Sequence, residues 1–338
     1  MMNFMEFAEY AKRNIKDFLP EEYQQSEVRL NINRKINETY MGLTVDRGDG
    51  QPTPAVSVSQ MFDRYEGGES LESIMQGMSK IVQMEMPHMI DVNQVTDYEQ
   101  AKFNLFVRLS DKETNQELMS DGPYEEIDGL LATYHVALGD EDGMMSVRVT
   151  KDLQEQYGIS DAQLKSDAMT YMPEKHPAKI ASLGAMIGMV DSLEEGDPVI
   201  MFVGNETGTL GAGVILYPGI KEQIAEQFGH DFFILPSSTH EVLVVADDGN
   251  FSRGALEDMV RSANQSVVEP ADRLSDHVYH YDAKDRIMER AETFEARMAE
   301  KEHSRSSVLG KLKERQDQIS HQAPMAAASS KNREALVM

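Results

Sequence analysis

Short apolar runs, each closed by a polar turn, constrain this chain most. FFIL (232–235) and EVLVVA (241–246) enclose Pro236, Ser237, Ser238, Thr239 and His240. Runs this short can cross a sheet but give little more than one helical turn, so each reads as a strand and the link as a hairpin. Pro236 has no N–H to give and ends the first strand, and the hydroxyl residues after it suit a turn through local hydrogen bonds. PVIMFV (198–203) and GVILY (213–217) flank a glycine-rich turn in the same way. A helical pattern follows each pair: GIKEQIAEQFG (219–229), with Gly229 as its C-cap, and SRGALEDMVRSANQ (252–265). The strand, strand, helix order thus repeats in the C-terminal half, and 130–172 follows it too. Such units give mostly antiparallel sheets with helices on one face, the α+β class.

Residues 1–90 read as an N-terminal α+β domain or subdomain. Phe4, Phe7, Ala8, Ala11, Ile15, Phe18 and Leu19 recur at helical spacing until Pro20 stops them. Val28, Leu30 and Ile32 alternate with polar residues, and MGLTV (41–45) and AVSVS (55–59) follow as two further strands. A helix is expected from Ser70, its N-cap, to Met86. Residues 91–282 form a second α+β domain, in which GDEDG (139–143) is expected to turn between two strands. Residues 283–302 are charged with few apolar positions and read as a helix. From His303 the composition cannot bury a core, so 303–338 is expected to be a disordered tail.

Composition narrows function by exclusion. There are 58 acidic and 32 basic residues, a net charge of −26. Such a surface repels phosphate backbones, so no direct nucleic-acid contact is expected, although an acidic surface can mimic DNA toward a DNA-binding partner. The absence of cysteine removes disulfides, thiol catalysis and cysteine-based zinc sites, and fits a reducing cytoplasm. The opening MMNFMEFAEYAKRN lacks the basic-then-apolar plan of a signal peptide. No apolar window reaches the ~20 residues of a membrane helix, so no membrane partner is expected.

Three stretches invite a chemical reading. In the quoted turn, Ser237 or Ser238 with His240 supplies a nucleophile and a base, with Glu241 or Asp276 as the orienting carboxylate. The oxyanion hole and the flanking glycines of a nucleophile elbow are missing. SDHVYHYD (275–282) holds Asp276, His277 and His280 as ligand-facing candidates. Strand spacing sends the two histidines to opposite sides, so no metal is assigned. Pairing of this stretch beside the turn would let His240, Glu241, Asp276 and His277 converge. GNETGTLGAG (204–213) has the glycines of a phosphate loop but is followed by Val214 and Ile215, not by Lys and Ser or Thr, so no cofactor is assigned either.

NFMEFAEYAKRNIKDFLP, DFFILPSSTHEVLVV and LSDHVYHYD together resemble an uncharacterised family of gut Firmicutes, domain of unknown function 5688, over residues from about 2 to 282. The element order after Leu130 is distantly similar to a second uncharacterised family in Bacillus relatives. Neither resemblance implies a catalytic residue. The first implies a bacterial cytoplasmic protein whose relatives often travel as cargo of mobile elements. The residues themselves favour a non-enzymatic binding or interaction protein, chaperone-like or an acidic mimic, whose partner is another protein. The alternative is a hydrolase built on the 237–241 cluster.

Overall fold

The computed structural model describes residues 2–48, 53–84, 91–138, 145–186 and 199–322. α1 (Phe4–Asn14) opens with a capping box: the Asn3 side chain accepts from the Glu6 N–H at 2.9 Å and Glu6 accepts from the Asn3 N–H at 2.9 Å. β1 (Glu27–Lys35) and β2 (Glu38–Asp46) pair antiparallel along their whole lengths. β3 (Val56–Ser57) joins β2 and is shorter than AVSVS implies. The Ser57 side chain accepts from the Gln60 N–H and starts α2 (Val58–Glu66), a helix hidden by the alternation of that stretch. α3 (Leu71–Val82) begins, as expected, on a Ser70 cap. Phe7, Ile15, Leu43, Ile74, Met75 and Met78 anchor a core that belongs to this part of the chain alone.

α4 (Asn93–Thr96) and α5 (Tyr98–Ala101) lead into β4 (Leu105–Asp111). α6 (Leu118–Asp121), β5 (Tyr124–Ile127), β6 (Leu130–Leu138), β7 (Met145–Arg148), α7 (Lys151–Tyr157) and α8 (Asp161–Lys175) follow. β6 is the spine of this second sheet, with β4 along one edge and β5 and β7 along the other. The GDEDG turn lies outside the described residues. β8 (Ala178–Ser182), α9 (Leu183–Met186), β9 (Ile200–Asn205), α10 (Ile220–Phe228), β10 (Phe232–Leu235), β11 (Val242–Ala246), α11 (Arg253–Ser266), β12 (Tyr279–Asp282), β13 (Ile287–Arg290) and α12 (Ala291–Gln322) complete the chain.

The third sheet is antiparallel throughout, in the order β13-β12-β10-β11-β9-β8. Alternation explains why FFIL is apolar at every position. Phe232 and Ile234 face the main core, shared with Val107, Leu109 and Ala132 of the second sheet. Phe233 and Leu235 face the other way, onto Leu256 and Val260 of α11 and Ala291 of α12. The sheet is therefore covered on both sides.

GVILY is not a strand. Gly211–Leu216 is a 3-10 segment packed against β9 and β4. A Cβ at Gly213 would sit 2.6 Å from the Val107 carbonyl oxygen, and one at Gly211 would sit 2.7 Å from both the Asn205 nitrogen and the His240 carbonyl oxygen. Only glycine admits backbones that close. A fully buried short run carries no periodicity that separates strand from helix, and this is where the expectation failed. The 283–302 stretch is also not one helix, because β13 pairs with β12 from Asp282↔Ile287 to Tyr279↔Arg290 before α12 begins. α12 continues past the expected end at 302 to Gln322, and 323–338 lie outside the described residues. Among the described residues no helix is long and apolar enough to cross a membrane.

Candidate functional site

The 236–241 turn is a joint between three segments. The Ser238 hydroxyl accepts from the His240 N–H at 3.0 Å and shapes the turn. On one side, the N–H groups of Leu274 and Ser275 donate to the carbonyls of Ser237 and Pro236 at 3.1 and 2.9 Å, and the Thr239 N–H donates to the Asp272 carbonyl at 2.8 Å. On the other side, the Gly211 and Ala212 N–H groups donate to the carbonyls of His240 and Thr239 at 2.8 and 3.2 Å. Leu210 holds a φ of 52°, a left-handed conformation unusual for a bulky residue. Its N–H donates to His240 Nδ1 at 3.1 Å, which helps to hold it there.

That bond also fixes the imidazole. Nδ1 accepts, so the neutral ring carries its proton on Nε2, which lies 3.4 Å from Asp272 Oδ1. Among the described residues no hydrogen bond joins a serine hydroxyl to this ring. Burial pushes the Glu241 carboxyl above the ordinary carboxylate range, against the opposing influence of neighbouring His240 and a Ser238 hydrogen bond. Arg108 on β4 approaches the same corner. Burial lowers its pKa, and the Asp272 carboxylate pulls it back up.

SDHVYHYD does run beside the turn. β12 pairs with β10, Phe233 opposite His280, and Ser238 forms an isolated bridge with Arg273. The register nevertheless brings Asp272 to His240, while Asp276 goes elsewhere: its Oδ1 accepts from Asn264 Nδ2 at 2.6 Å. Asp276 and His277 line a separate cavity of about 380 Å³. His280 is fully buried, its Nε2 3.1 Å from Asp247 Oδ2 and its ring stacked at 3.6 Å on Phe294 of α12. Among the described residues no group of three or more histidines and carboxylates could hold a metal ion. Asp272 and Arg108 escaped the sequence reading. Asp272 follows a proline in a short 3-10 turn, and Arg108 reads as the polar face of an ordinary strand.

Fold and corner define an α+β protein of three antiparallel sheets whose buried polar residues join segments distant in sequence. The chain belongs to a family of unknown function, DUF5688, which it matches over residues 4–283. Neither the curated proteins nor the solved structures give a match.

Proposed function

We propose that this protein acts by binding another protein in the bacterial cytoplasm and not by catalysis. The observation that supports the reading is the engagement of His240. A general base needs a free lone pair turned toward its nucleophile, and here Nδ1 is occupied by the Leu210 N–H while Nε2 faces Asp272. A hydrolase using Ser237 or Ser238 would have to break the Leu210 bond to turn the ring. The excess of carboxylates suits a chaperone-like or acidic-mimic role, since it keeps the chain soluble and repels nucleic acid.

The test is native mass spectrometry of the full chain purified gently from its own host, with an ester-hydrolysis assay on the same sample. A second protein at fixed stoichiometry and no turnover is the expected result. Turnover that disappears in a folded His240→Ala variant would overturn the reading.

A further inference from the structure

We propose that the cavity lined by Asp276 and His277 is a binding site for a small organic cation carrying a primary ammonium group. At about 380 Å³ it has the size of a small-molecule site. Its wall is assembled from stretches far apart in sequence: Asn37 at the tip of the β1–β2 hairpin, Asp111 at the end of β4 with Glu113 and Thr114 after it, Asn264 near the end of α11, and Pro270 with 273–277. Cavities at such junctions are preferred places for ligands.

The chemistry of the wall selects the ligand. Asp111, Glu113 and Asp276 set three negative charges against Arg273 in the wall and Arg290, which reaches Glu113 at 3.8 Å, so the balance stays negative. Asp111 is partly committed, because its Oδ1 accepts from the N–H groups of Glu113 and Thr114 at 2.8 and 3.0 Å. Asp276 uses Oδ1 for Asn264, and its other oxygen accepts no hydrogen bond among the described residues, with Arg261 near enough to feel its charge.

Asn264 is the independent sign. It is 3% exposed, and its Nδ2 donates to the Ser275 carbonyl at 3.0 Å and to Asp276 at 2.6 Å. These two bonds fix the amide, and its carbonyl oxygen is left buried with no donor. The half-buried His277 ring also makes no hydrogen bond among the described residues. Unmet acceptors beside a net negative charge call for a ligand that brings donors and positive charge. An ammonium brings three N–H groups, an anion is repelled, and the carboxylates do not converge as a metal would need.

This inference is independent of the protein-partner reading. The test is NMR of the full chain with labelled histidine, titrated with n-butylammonium and, separately, with butyrate of the same chain length. The expected result is a saturable shift of the His277 resonance with butylammonium alone. Asp276→Asn should weaken binding about tenfold, the loss of one charge-assisted contact. Asp276 is exposed, and asparagine keeps an acceptor for Asn264, so the fold should persist; exposed Glu113→Gln is the second variant if it does not. No saturable shift, equal affinity in both variants, or an equal response to butyrate would each overturn the proposal.

Discussion

Arg108 and His135 stand on one face of the second sheet, since Arg108 pairs with Thr133 and Phe106 with His135. Arg108 Nε is buried without a hydrogen-bond partner. A buried guanidinium without full compensation destabilises the fold, and an apolar chain of similar length often does better. Arg108→Met should therefore raise Tm by about 2–4 °C, a gain of about 1 kcal/mol, in scanning calorimetry. A fall of that size would mean the charge is compensated. His135 is 4% exposed, with Nε2 at 3.1 Å from Thr133 Oγ1. Burial, and then the Arg108 charge, hold its pKa well below the ordinary 6.5. Above pH ~6.5 the ring is neutral in both states. Below that, the unfolded chain takes up a proton the native ring refuses, so stability falls as pH drops. His135→Gln removes this titration. Its urea midpoint should change less than that of the native chain between pH 7 and 5; parallel curves would refute the assignment.

Among the elements, the buried 3-10 segment tolerates least. Gly213→Ala puts a Cβ 2.6 Å from a backbone oxygen and should cost about 1–3 kcal/mol in urea unfolding. Gly254 in α11 has nothing within 4 Å of its would-be Cβ, so Gly254→Ala should stabilise by about 0.5–1 kcal/mol. Equal effects at the two sites would contradict the packing described. α12 is fastened at its start by Phe294 on His280 and by Arg297, which meets Asp282 and Asp285 at 2.9 Å and Glu289 at 2.6 Å. Asp282 and Glu289 are both buried, so Arg297→Met strands two carboxylates. Hydrogen exchange should quicken in α12 and β13 and stay unchanged in β1 and β2. A sequence reading could find α1 and α3, because their apolar stripes and caps are local. It could not find α2, whose first turn alternates like a strand, nor β13, whose Glu289 is explained by Arg297 and whose Arg290 is explained by Asp128, Tyr279 and Glu113.

At the scale of the molecule, the N-terminal core is joined to the rest through the tip of its hairpin. Asn37, at φ 61°, donates its N–H to Asn115 Oδ1 at 2.8 Å and accepts from Asn115 Nδ2 at 2.9 Å. Its Nδ2 donates to the carbonyls of Arg273 and Ala271 at 2.6 and 3.1 Å. Asn37→Gly keeps the turn but loses the side-chain bonds, a loss of about 1–3 kcal/mol of coupling. It should split the calorimetric transition in two, whereas one unchanged transition would place the coupling elsewhere. The sequence by itself determined the α+β class, the hairpin between FFIL and VLVVA, and the caps at Ser70 and Gly229. These follow from alternation, turn chemistry and helix-end hydrogen bonds, all within a few residues. Tertiary structure alone decided that GVILY is a buried 3-10 segment, that Asp272 and not Asp276 meets His240, and that Asn37, Asn264 and Asp276 share a cavity. Those outcomes depend on which strand edges pair and in what register, and register is set by the fit of whole faces, which no short stretch of sequence contains.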